Sequence, residues 1–290
     1  MSDLPLSSTF VEQIPSLLVS NLWGDINNSS VWQAASYFSL CGCYALISTA
    51  ALIQLIRIEL RVPEYGWTTQ KVFHLMNFIV SGVRAVIFGF HHQVFILRPK
   101  VSVLVLLDLP GLLFFSTYTL LVLFWAEIYH QARNIPIEKL KIIYASINIA
   151  VYFIEIFTWF YLWMDYNSVV EDIGNIFFAV VSLVAALGFL LCGGRLFLML
   201  RHFPIESRGR RKKLHEVGSV TAISFTCFLI RCFMVFLGTF DSKASLDVPN
   251  HPILNWIYYM LVEVIPSALV LFILRTLPQK RISVHYHLVQ

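Results

Sequence analysis

Five ionisable side chains sit inside runs that are otherwise apolar: Arg84, Asp108, Glu155, Arg231 and Glu263. The stretch "KVSVLVLLDLPGLLFFSTYTLLVLFW" (100–125) shows the problem, because Asp108 is its only acid and Pro110 and Gly111 follow at once. A charge in hydrocarbon is tolerated where it pairs, or where it faces a water-filled cavity. Arginine keeps its proton, so two guanidiniums balance two of the three carboxylates and one is left over. Such a set can bind a small ligand or an ion, or relay protons. It can equally be structural, since buried ion pairs fix helix register without any ligand. Both readings follow from these residue types.

Neighbouring polar residues fall at helical spacing. His74, Asn77, Ser81 and Arg84 step by three and four, as do Asn148, Tyr152, Glu155 and Trp159. Thr221, Ser224 and Arg231 form a third row, and Tyr259, Glu263 and Ser267 a fourth. Residues three and four apart share one helix face. A single polar stripe on an apolar helix predicts a bundle interior. At about 1.5 Å of rise per residue, the five charges converge on one layer, roughly 9–16 Å below the same end of the helices. The layer predicts an ion pair between Arg84 and Asp108, on neighbouring helices joined by a short loop, with Glu263 as the odd carboxylate.

The elements that must position these charges are membrane helices. The 290-residue chain is 58% hydrophobic and only 13% charged, against about 25% charged in soluble domains. Its mean hydropathy is +0.72. Seven runs, near 34–56, 71–91, 101–126, 140–164, 173–198, 215–239 and 253–275, are long enough to cross about 30 Å of hydrocarbon. Lipid offers the backbone no partners, so each must be a helix. The fold class is therefore an all-α membrane protein with seven transmembrane helices. Sixteen of the 21 Lys and Arg residues fall on one set of helix ends and three on the other. Positive residues stay cytosolic, which predicts a lumenal N-terminus and a cytosolic C-terminus. The expected organisation is a lumenal segment (1–33), the seven-helix domain (34–280) and a short tail (281–290). No signal peptide is read before the first span, which is expected to serve as the targeting signal. Asn27 and Asn28 head overlapping sequons in "NNSS" and are glycosylation candidates on a lumenal segment.

Other groups point to less. The five cysteines lie within spans and read as small apolar residues, with no disulfide framework. Adjacent His91 and His92 diverge by about 100° on a helix, which does not suit one metal ion. No metal site is predicted. "RGRRKK" (208–213) fits contact with an anionic leaflet and lacks the interleaved aromatics of a nucleic-acid surface. The first inter-helix connection mixes Arg57, Arg61, Tyr65 and Trp67, a combination favoured at protein interfaces, and is the candidate docking segment for soluble partners. No nucleotide fingerprint or hydrolase motif appears, so neither an enzyme nor a cofactor is expected.

Two stretches, "RVPEYGWTTQKVFHLMNF" (61–78) and "DLPGLLFFSTYTLLVLFWAEIYHQAR" (108–133), together with "FGFHHQVF" (88–95), resemble the plant tobamovirus multiplication protein family. The resemblance runs from about Trp32 to Lys280. It implies a seven-span protein of the vacuolar membrane that anchors tobamovirus replication proteins, and hence viral RNA replication complexes. It also implies partnership with an Arf-like small GTPase. The likeness to seven-helix receptors is weaker: the third span ends in "AEIYHQAR", and Pro266 follows "EVI" rather than Asn. The reading from sequence is a membrane scaffold that recruits cytosolic partners. The alternative is a receptor-like or transporter-like protein that binds a small ligand or ion at the charged layer.

Overall fold

A computed structural model describes residues 29–61, 68–133, 135–202, 208–240 and 252–275. Among these, all regular structure is helical. The order is α1 (Ser30–Arg61), α2 (Thr69–Gly89), a short α3 (His91–Ile96), α4 (Lys100–Ala132), α5 (Glu138–Met164), α6 (Ser168–His202) and α7 (Arg208–Phe240). The last span is compound: α8 (Pro252–Tyr259), a π turn (Met260–Val264) and α9 (Ile265–Ile273). Among the described residues, seven helices are long and apolar enough to cross a membrane, as the runs in the sequence predict.

The boundaries differ where local chemistry overrides hydropathy. The second span was expected to run to residue 91, but α2 stops at Gly89, because Phe90 adopts φ −104°, ψ 27°. The seven basic residues expected in a loop between the fifth and sixth spans (Arg195, Arg201, Arg208, Arg210, Arg211, Lys212 and Lys213) all lie on helix; residues 203–207 are outside the described residues. Arg and Lys are good helix formers, and nothing apolar is needed to extend a helix into water. At 35 residues α6 is about 50 Å long, well beyond the hydrocarbon thickness. Its excess carries Arg195 and Arg201 on the end that sequence analysis marks as basic.

Packing pairs α1 with α2 and α6 with α7, and α4 runs through the centre against α2, α5 and α6. The compound span closes the bundle against α1 and α7. The outlier is α5, which buries only Asn148, Val151, Glu155 and Leu162. Lipid is as apolar as leucine, so close contact rather than water exclusion must hold these helices together. At Gly193 a side chain would overlap Thr221, so glycine there lets α6 and α7 approach. Tyr118 is fully buried among Phe114, Phe189 and Phe228, with ring centroids 4.4–6.2 Å away. Such ring pairs contribute about 0.5–1.5 kcal/mol each beyond their area.

Candidate functional site: the buried charge layer

The layer is built on rows that face inward. Arg84 ends the α2 row His74, Asn77, Ser81, Arg84, and all four are buried. Glu263 lies in the π turn. One row of buried residues on its span, Asn255, Tyr259, Glu263, Ser267 and Leu271, steps by four. A step of four over-rotates an α-helix by about 40°. The π turn, in which the Ile265 N–H reaches back to the Met260 carbonyl, takes up part of that drift and keeps Glu263 pointing inward.

Arg84 and Glu263 form a side-on, two-point ion pair. Arg84 Nε donates to Glu263 Oε2 at 2.9 Å and Nη2 to Oε1 at 2.8 Å. The Tyr44 hydroxyl donates to the same Oε2 at 2.7 Å. The third Arg84 nitrogen, Nη1, donates to the Leu107 carbonyl at 3.0 Å. The guanidinium also lies over the Tyr259 ring, 4.8 Å from its centroid. Arg84 is 2% exposed and Glu263 1%, so two desolvated charges depend on these bonds. That geometry is what makes a buried pair tolerable.

This corrects the partner choice read from sequence. Arg84 pairs with Glu263, not with Asp108, and Glu263 is the engaged carboxylate rather than the odd one. Sequence spacing gives depth along a helix but not rotation about it, and several carboxylates share this depth. Asp108 still faces both arginines, and it is only half-buried. Pro110 has no N–H for the Leu106 carbonyl; the next carbonyl along, Leu107, is the one Arg84 takes.

Arg231 forms the second cationic point. Its Nη1 is 4.0 Å from Glu263 Oε1, and its guanidinium lies 4.7 Å from the Phe178 ring centroid. Gly111 makes room for it. A Cβ there would stand 2.6 Å from Arg231 Nη2 and 3.8 Å from Arg84 Nη2. Glu155, 6% exposed, lies within electrostatic reach of Asp108 and Arg231. The structure thus brings Arg84, Asp108, Glu155, Arg231 and Glu263 into one neighbourhood, made by α2, α4, α5, α7 and the π turn.

Three features were not read from sequence. The Cys227 thiol is more than a small apolar group: it donates to the Val262 carbonyl at 2.6 Å. Pro266 leaves that carbonyl without its usual helical donor, so a proline four residues on was the available signal. Glu127 is a hub at the basic end. It accepts from Thr69 Oγ1 at 3.0 Å and stands 3.7 Å from Lys141 Nζ. Lys71, read as a loop cation, is buried and bridges to Glu59 at 2.7 Å. Apart from these, His91, expected not to share a metal ion with His92, lies tilted against Tyr37, with ring centroids 4.8 Å and planes 33° apart, and its Nδ1 is 3.0 Å from the Phe88 carbonyl.

The docking candidates are placed only in part. Arg57 is exposed near the end of α1 and Arg61 is the last residue of that helix. Tyr65, Trp67, Asn27 and Asn28 lie outside the described residues. Among the described residues, no group of three His, Cys, Asp or Glu side chains is placed to hold a metal ion.

Seven apolar helices around a shared buried charge layer define a multi-pass membrane protein. The chain belongs to the THH1/TOM1/TOM3 family: the profile of the THH1/TOM1/TOM3 domain matches residues 18–290. It is 68% identical over 287 residues to Tobamovirus multiplication protein 1 of Nicotiana tabacum, covering 99% of each chain. Identity to Tobamovirus multiplication protein 1 of Arabidopsis thaliana is 68% over 272 residues, covering 94% of each. Identity to Tobamovirus multiplication protein 3 of Arabidopsis thaliana is 56% over 281 residues, covering 97% of this chain and 93% of that one. No solved structure matches the chain.

Proposed function

We propose that this protein is a non-catalytic membrane anchor that supports tobamovirus multiplication by holding soluble partners at the membrane. The observation that carries the reading is end-to-end similarity, 68% identity over 99% of both chains, to a relative named for tobamovirus multiplication. The finer parts rest on the resemblance read from sequence. The partners are tobamovirus replication proteins and an Arf-like small GTPase, and the membrane is that of the vacuole. The N-terminus is lumenal and the C-terminus cytosolic, on the argument of the 16-to-3 distribution of basic residues. The basic ends of the helices then face the cytosol, and the segment holding Arg57, Arg61, Tyr65 and Trp67 meets the partners there.

The test is complementation. In plant cells stripped of their own family members, expression of this chain is expected to restore tobamovirus RNA accumulation by at least an order of magnitude. Unrestored accumulation at normal membrane levels of the protein contradicts the reading.

A further inference from the structure

The second guanidinium of the layer is under-used. Arg231 is 6% exposed, yet its Nε and Nη1 have no hydrogen-bond partner among the described residues, and its approach to Glu263 is only 4.0 Å. Across from it, Glu155 Oε1 is equally buried and equally without a partner. Buried polar atoms in native proteins are satisfied by protein, water or a bound group, so these orphan atoms call for a partner. Asp108 is half-buried and lies within electrostatic reach of both.

The charges say what kind of occupant. Glu263 is engaged by Arg84 and Tyr44. Arg231 is therefore left to face Asp108 and Glu155, one positive charge against two carboxylates. Glu171, in the first turn of α6, also acts on Asp108 but accepts from the Tyr166 hydroxyl at 2.6 Å at the exposed helix end, and so stays outside the count of the buried layer. From the other elements Asp108 faces Arg84 and Tyr259. The missing charge is a single positive one, and it must be satisfied by few ligands, because among the described residues no three metal-ligating groups converge.

We infer that Asp108, Glu155 and Arg231 form a binding site for one monovalent hydrogen-bonding cation, a proton or a small organic ammonium, with water completing the bonds of Arg231. The cation sits between the two carboxylates and does not touch the Arg84–Glu263 pair. The site is independent of partner recruitment, so either can fail alone.

The test uses the full chain in lipid nanodiscs, as wild type, Asp108→Asn, Glu155→Gln and Glu263→Gln. Infrared difference spectra between mildly acidic and mildly basic buffer look for the carbonyl band of a protonated carboxyl group. Thermal melting compares methylammonium chloride with sodium chloride at equal ionic strength. A proton site gives a band that is lost in Asp108→Asn or Glu155→Gln and kept in Glu263→Gln. An ammonium site gives a methylammonium-dependent rise of several degrees in wild type, absent in Glu155→Gln. If the variants fail to purify, carbon-13 labelling of aspartate or glutamate in the wild type assigns the band, and the melting comparison is made on the wild type alone. The absence of both the band and the methylammonium shift overturns the site, as does a band that moves with neither label or disappears only in Glu263→Gln.

Discussion

Arg84 is bound on every side: by both oxygens of Glu263, by the Leu107 carbonyl and by the Tyr259 ring. Removing one member of a buried pair strands the other charge, at a typical cost of about 3–5 kcal/mol. Arg84→Gln and Glu263→Gln are each expected to lower stability by that order. The double variant is expected to lose clearly less than the two losses added, since two amides can bond each other. Melting of the four proteins after the same extraction measures this coupling; strictly additive losses contradict the pair. Inward-facing charged residues were legible in the sequence from their depth and spacing, whereas their pairing was not. Asp108 and Glu263 lie at similar depth, and only the rotation of each helix, set partly by the π turn, decides which one Arg84 meets.

Among the helices, prolines explain contacts that propensity does not. Pro266 deprives the Val262 carbonyl of its donor, and Cys227 on α7 supplies one. This bond fastens α7 to the compound span at the depth of the charge layer. Cys227→Ala is expected to cost about 1 kcal/mol, the usual net value of one hydrogen bond. Cys227→Ser, which keeps a donor, is expected to cost less. Thermal melting of both variants checks the order, and equal losses show that the thiol acts only by its volume. The seven helices were legible because long apolar runs in lipid have no other solution. The helical extension at residues 208–213 was not, because a basic run has no apolar period and reads as loop. The hub at Glu127 was missed for a similar reason: its partners Thr69 and Lys141 lie far away in sequence, and nothing in the spacing joins them.

At the scale of the whole molecule, the proposed topology puts the two ends of a bundle of seven described spans on opposite faces and takes the basic helix ends as cytosolic. Tags at each terminus, probed with protease in sealed vesicles that keep the cytosolic face outward, are expected to show a cleavable C-terminus and a protected N-terminus. The reverse pattern inverts the topology and moves the proposed docking segment out of the cytosol. Recruitment of a viral partner is the central claim, and reconstitution tests it most directly. Purified chain in vesicles with the basic helix ends outward is incubated with a purified tobamovirus replication protein, and the vesicle-bound fraction is measured by flotation. The expected result is capture several-fold above empty vesicles, reduced at least threefold when Arg57→Glu, Arg61→Glu and Trp67→Ala are combined at equal protein density. Capture no greater than that by empty vesicles contradicts the account.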